Sequence, residues 1–187
     1  MNVLEEAIVF ATRAHEGQKR KLTETPYILH PLEVAAIISS ITPDLEIMAA
    51  GVLHDTVEDC GVDLREIEQR FGARVSALVE SETEVQCQTA ETWMQRKEES
   101  LLMLKHTGEK DVKILWLGDK LSNMRSFYRE YLKQGDNIWQ TLHQKDPKMQ
   151  GWYYRTVAKY LAELSDTAAY QEYVELVNKV FGEEDAI

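Results

Sequence analysis

The stretch GVLHDTVEDC, residues 51–60, places one imidazole and three carboxylates directly after an apolar run. Ala49, Ala50, Val52 and Leu53 read as the buried end of a helix, and His54, Asp55, Glu58 and Asp59 follow. Burying such groups unpaired is costly, so solvent, a protein cation or a metal ion must compensate them. On one continuous helix His54 and Glu58 share a face, with Asp55 about 100° round from His54. Two other positions have the same character. His30 precedes a helix-starting proline, and Asp119 follows the apolar run ILWLG, with Asn123 one turn further on. Two imidazoles and two carboxylates form a mixed nitrogen and oxygen set. Such a set suits a borderline-to-hard dication with open positions for water and phosphate, such as Mn²⁺ or Fe²⁺. An all-sulfur or all-histidine tetrahedral zinc set is not in the chain.

The elements that must position these residues read as helices almost throughout. Residues 3–15 carry an apolar face at helical period, stopped by Gly17. QKRKLTETPY is a polar, basic loop, and HPLEVAAIISSI a helix with Pro31 in its first turn, where a missing N–H costs little. TPDLEIMAAGVLHDTVED is expected as one helix. Asp63 and Glu66 predict a capping box for the next helix, with Gly72 as its stop. ARVSALVESETEV is a short helix, and residues 84–92 are a mobile loop or an insertion. TWMQRKEESLLMLKHTG and DVKILWLGDKLSNMRSFYREYL are helices, the second long and capped by Asp111. VKILWL alone could pass for a buried strand, but its unbroken continuation to Tyr131 favours helix. An irregular stretch, QGDNIWQTLHQKDPKMQG, then leads to two closing helices, WYYRTVAKYLAEL and AYQEYVELVNKVFG. The expected fold is all-α, a single domain over residues 1–187 with nine or ten helices.

Composition narrows the function. A chain of 187 residues, 44% hydrophobic and 28% charged, can bury a full core. A net charge of −11 argues against nucleic acid, whose phosphates need clustered Lys and Arg. A small anionic substrate needs only a local positive pocket or a metal. Cys60 and Cys87 form no CxxC pair, Glu5 and Glu6 stand where a signal peptide would be positive, and no apolar run is long enough for a membrane span. These features point to a reduced, cytoplasmic setting with no membrane partner.

The order His30, His54–Asp55, Asp119 resembles the HD superfamily of metal-dependent phosphohydrolases. FATRAHEGQKRKLTETPYILHPLEVA, GVLHDTVEDCGVDLREIEQRFGARVSALV and VKILWLGDKLSNMRSF resemble three successive segments of the hydrolase domain in RelA/SpoT proteins and small alarmone hydrolases, covering about residues 4 to 130. The resemblance implies an α-helical HD bundle. It also implies Mn²⁺-dependent removal of the 3′-pyrophosphate from (p)ppGpp, the alarmone of the stringent response, giving GTP or GDP and pyrophosphate. His30, His54, Asp55 and Asp119 match the family's metal ligands, and Glu58 and Asp59 its pair that positions and activates water. Asn123 matches a residue near the nucleotide sugar, Arg20 and Lys21 a basic pair on base and phosphates, and Ser126 a base-contacting polar residue. The segment ESETEVQCQTAETW departs from the family pattern. No synthetase or regulatory domain fits in the remaining residues, which implies a stand-alone hydrolase.

Plainer roles are expected elsewhere. His15, His106 and His143 read as surface or capping residues, Trp152, Tyr153 and Tyr154 as core packing, and Lys120 and Arg125 as substrate contacts or surface charge. Two other functions compete with (p)ppGpp hydrolysis: hydrolysis of another nucleotide or phosphate ester, and a non-catalytic module that binds a nucleotide without turning it over.

Overall fold

The computed structural model describes residues 1–20, 23–83, 89 and 91–182. Lys21, Cys87 and most of the expected 84–92 loop lie outside the described residues. In chain order the α-helices are α1 (Val3–Ala14), α2 (Leu29–Ser39), α3 (Leu45–Leu53), α4 (Thr56–Cys60) and α5 (Leu64–Phe71). They continue as α6 (Ala73–Glu82), α7 (Trp93–His106), α8 (Lys110–Gln134), α9 (Pro147–Tyr160) and α10 (Ala168–Phe181). A 3-10 helix over Gly135–Thr141 follows α8. Among the described residues there is no strand, only an isolated antiparallel bridge between Lys19 and Pro26. The fold is all-α, as expected.

The centre is α8, which packs against α2, α3, α6 and α10. Residues 114 to 119 of α8 are all buried, so this half of the helix is enclosed on every side. VKILWL is therefore helix, and its apolarity reflects enclosure rather than a sheet.

Two glycines let α2, α3 and α8 approach closely. A Cβ at Gly51 of α3 would lie 2.6 Å from Ile38 Cδ1, and one at Gly118 of α8 would lie 2.9 Å from Ile38 Cγ1. Val34 and Ile38 of α2 thus fill a notch that only glycine leaves open. His30 lies on α2, Asp119 on α8 and His54 directly after α3, so the notch sets the spacing of those side chains. Gly118→Ala is expected to destabilise the protein by about 1–3 kcal/mol through overpacking, read as a lower denaturant midpoint with an unchanged slope.

Several local expectations are corrected. The single helix expected over TPDLEIMAAGVLHDTVED is broken at His54–Asp55. Asp55 sits at φ −90°, ψ −4°, in the sparsely used bridge region. Side chains satisfy carbonyls freed by the break: His54 Nδ1 lies 2.8 Å from the Gly51 carbonyl, and Thr56 Oγ1 donates to the Leu53 carbonyl at 2.7 Å. Glu58 and Asp59 consequently stand in the first turn of α4, not at the end of a long helix, so no clash with a helix dipole marks them.

The capping reading also changes. Asp63 caps α5 through the Arg65 N–H alone, and Glu66 pairs instead with Arg70. Among the described residues, the one complete capping box is Asn2 with Glu5, ahead of α1. Asp111 does not cap α8. It joins Asp44 and Glu46 around Arg74, at 2.7, 2.8 and 2.6 Å. Asp146 caps α9, which starts at Pro147, within the stretch expected to be irregular. His15 is the C-cap of α1, one of the two roles expected for it, and is buried rather than superficial, 3% exposed, with Nδ1 2.8 Å from Gln18 Oε1 and 3.2 Å from Cys60 Sγ.

Candidate metal centre and active-site cavity

His30 leaves the first turn of α2, His54 and Asp55 form the break between α3 and α4, and Asp119 follows Gly118 on α8. Their donor atoms close a ring. His54 Nε2 is 3.0 Å from Asp55 Oδ2 and 3.6 Å from Asp119 Oδ1. His30 Nε2 is 3.5 Å and 3.1 Å from the same two oxygens. His30, His54 and Asp55 offer atoms mutually within 4.8 Å, and Asp119 joins them through the two imidazoles.

The ring fits a metal on two grounds. Donors about 2.1 Å from a common centre and at right angles lie roughly 3.0 Å apart, so the observed edges have the scale of neighbouring ligands on one ion. The buried His54 Nε2 also has no hydrogen-bond partner, although Asp55 Oδ2 is near, so the two atoms address a common point rather than each other. The far ring nitrogens set the tautomer. His54 Nδ1 meets a carbonyl that can only accept. His30 Nδ1 meets Ser122 Oγ at 2.9 Å, and that hydroxyl donates to Glu33 at 2.8 Å. Each Nδ1 therefore carries the proton, leaving an Nε2 lone pair for a cation.

The electrostatics agree. Burial alone would raise the Asp119 carboxyl, but Lys120, His30 and His54 hold it well below the usual carboxylate range. Asp55 is likewise held low against burial, chiefly by His54 and His30. Burial lowers His30, whereas Asp55 and Asp119 outweigh burial at His54 and raise it. Two ionised carboxylates in a nearly dry pocket require positive charge. Lys120 supplies part of it at Asp119, and a dication can supply the rest with both imidazoles neutral.

A cavity of about 570 Å³ borders the ring at Asp55, within the usual size range for a small-ligand site. Asp55, Glu58 and Asp59 line it on one side, and Asn123 and Ser126 on another. Lys19, Arg20, Arg96, Lys97 and Lys120 add five cations to its wall, which offsets the acidic surface locally. Arg20 is fixed by its loop: its N–H donates to the Thr25 carbonyl at 2.9 Å, and its guanidinium to Asn123 Oδ1 at 3.1 Å. Asn123 Nδ2 donates to Asp119 Oδ1 at 2.6 Å, so Asn123 ties Arg20 to the ring.

The sequence reading overlooked several participants. Tyr27 donates to Asp55 Oδ2 at 2.6 Å. Its place one helical turn before His30 is the signal that could have found it. Ser122 and Glu33 orient His30, and Arg96 and Lys97 reach the cavity from α7, which no local motif announces. Tyr153 and Tyr154 read as core packing rather than a platform for a base, and both line the cavity. Lys120 is not surface charge: it borders the cavity and pairs with Asp119 Oδ2, while Arg125 pairs with Glu33 and Glu172.

Comparison with known proteins agrees with this architecture. The HD-domain family profile matches residues 7–147. The chain is 41% identical over 128 residues to the human guanosine-3′,5′-bis(diphosphate) 3′-pyrophosphohydrolase MESH1, covering 66% of this chain and 69% of that protein. It is 38% identical over 130 residues to the Aquifex aeolicus protein of the same enzyme name, covering 67% of this chain. That protein and a chloroplast relative from Arabidopsis thaliana are far longer, and the chain spans 18% and 15% of their lengths. Among solved structures, a metazoan SpoT orthologue described as hydrolysing ppGpp superposes with a TM-score of 0.74. The match has 23% identity and covers 96% of this chain and 95% of that one, a likeness of fold. No described helix is long and apolar enough to cross a membrane. From the profile match, the MESH1 similarity and the His–His-Asp–Asp order, the chain belongs to the HD-domain family, whose members imply a divalent metal.

Proposed function

We propose that this chain removes the 3′-pyrophosphate of (p)ppGpp, releasing GTP or GDP and pyrophosphate, with Mn²⁺ as its cation and the cytoplasm as its setting. The observation that carries the reading is the ring of two imidazoles and two carboxylates beside a cavity walled by Lys and Arg. The names of the human and Aquifex relatives supply the substrate.

His30, His54, Asp55 and Asp119 would hold the cation. When bound, it neutralises charge on the phosphoryl oxygens and lowers the pKa of water. Glu58 and Asp59, on the cavity wall beside Asp55, orient the attacking water and accept its proton. Water adds to phosphorus as the bond to the 3′-oxygen breaks, and that oxygen takes up a proton to leave as the nucleotide's 3′-hydroxyl, in a displacement that requires no protein nucleophile. Arg20, with Lys19, Arg96 and Lys97 of the wall, offsets the negative charge of the phosphates, which the acidic protein would otherwise repel. Asn123 reaches the nucleotide chiefly by fixing Arg20, and Ser126 offers a hydroxyl to the base. Lys21, beside Arg20 in sequence, is assigned to the same basic pair.

The test is product identity. Purified chain with Mn²⁺ and ppGpp is expected to release GDP and pyrophosphate in equal amounts. Release of orthophosphate, or faster turnover of another nucleotide in a panel, would favour the broader phosphohydrolase reading. Tight binding without turnover would favour a non-catalytic module. Arg20→Ala is expected to raise KM roughly ten- to a hundredfold, the scale of one or two hydrogen bonds to a charged group. An unchanged KM with a lower kcat would mean that Arg20 acts through Asn123 instead.

A further inference from the structure

Asp119 uses its two oxygens differently. Oδ1 faces both imidazoles, whereas Oδ2 points away and pairs with the Lys120 ammonium. Lys120 is itself closely held. Its side chain is 13% exposed, its ammonium lies 4.5 Å over the Trp116 ring, and Glu82 Oε2 stands 3.5 Å away. Glu82 is the less expected partner. Its side chain is 3% exposed, at the end of α6, and Oε1 has no hydrogen-bond partner. Nothing in the proposed chemistry uses this carboxyl, and leaving such a group buried is costly unless it serves a neighbour. Glu82 and Lys120 both line a further cavity, of about 370 Å³, and Lys120 lines both cavities.

We propose that Lys120 and Glu82 are positioning residues for the metal centre: Lys120 holds Asp119 by Oδ2 so that only Oδ1 enters the ligand set, and Glu82 holds Lys120 in that place. The inference rests on the metal assignment above. A carboxylate restrained in this way binds through one oxygen and leaves a coordination position open to water or phosphate. Trp116 supports the ammonium from below, where its ring face is negative. The lysine therefore acts through Asp119, not on the substrate, even though it borders the substrate cavity. Glu82 supplies an oxygen facing the ammonium, a role that a glutamine oxygen can also fill.

Mn²⁺ titration of the full chain by calorimetry, without nucleotide, tests this directly. Lys120→Met is expected to weaken Mn²⁺ binding roughly ten- to a hundredfold, the usual effect of losing an outer partner of a ligand, with Lys120→Arg recovering most of it. Glu82→Leu is expected to weaken binding about tenfold, while Glu82→Gln stays within a few-fold of the parent. The Mn²⁺ electron paramagnetic resonance spectrum should change in Lys120→Met as Asp119 gains freedom to bind through both oxygens. Parent-like Mn²⁺ affinity in Lys120→Met, with only nucleotide binding weakened, would make Lys120 a substrate contact and overturn the proposal. Equal losses in the conservative and disruptive variants would also overturn it, because packing rather than the charged contact would then matter. Since no nucleotide is present, a wrong substrate assignment leaves this outcome unchanged.

Discussion

Asp55→Ala is expected to lose Mn²⁺ binding and turnover together, with helical content retained. The Asp55 carboxylate lies next to His54 Nε2 and His30 Nε2 and accepts from Tyr27, so one substitution removes a ring donor and takes the acceptor from a half-buried phenol. Three donors remain, only one of them charged. The fall in affinity should therefore exceed the roughly hundredfold typical of losing an outer partner, and hydrolysis should drop to the chelator-treated background. Calorimetry and product release measured on the same preparation check this. Turnover retained in the variant would refute Asp55 as a ligand.

Glu58→Gln should separate the two properties. Glu58 stands on the cavity wall in α4 and outside the ring. Mn²⁺ affinity is expected to stay within a few-fold of the parent while kcat falls by roughly 10²–10⁴, the range for removing a general base, with KM little changed. Asp59→Asn should behave similarly if the two carboxylates share the task. The same drop in both variants together with a loss of metal would place these residues in the ligand set instead. An unchanged kcat in both would leave proton transfer to another group.

The all-α fold was legible because nearly every segment carries apolar residues at helical period, ended by glycines such as Gly17 and Gly72. The chemistry was legible in residue type: imidazoles and carboxylates at the ends of apolar runs require compensation wherever they lie. What the sequence hid is tertiary. The break at His54–Asp55 depends on His54 and Thr56 side chains replacing helix hydrogen bonds, and nothing in the string TVED marks it. Tyr27, Ser122 and Glu33 serve residues 28, 92 and 89 positions away, separations that no periodicity reveals. The notch of Gly51 and Gly118 around Ile38 appears in sequence only as two glycines inside helices, where they are normally unfavourable. Asp63 caps α5 as expected, but arginines take the other two carboxylates of the capping reading: Arg70 pairs with Glu66, which would have completed the box, and Arg74 pairs with Asp111.

The most direct test of the central claim is an anomalous difference map from a crystal of this protein grown with Mn²⁺. The account predicts one strong peak within bonding distance of His30 Nε2, His54 Nε2, Asp55 Oδ2 and Asp119 Oδ1. A peak elsewhere, or full-occupancy manganese bound without two or more of those atoms, would contradict it.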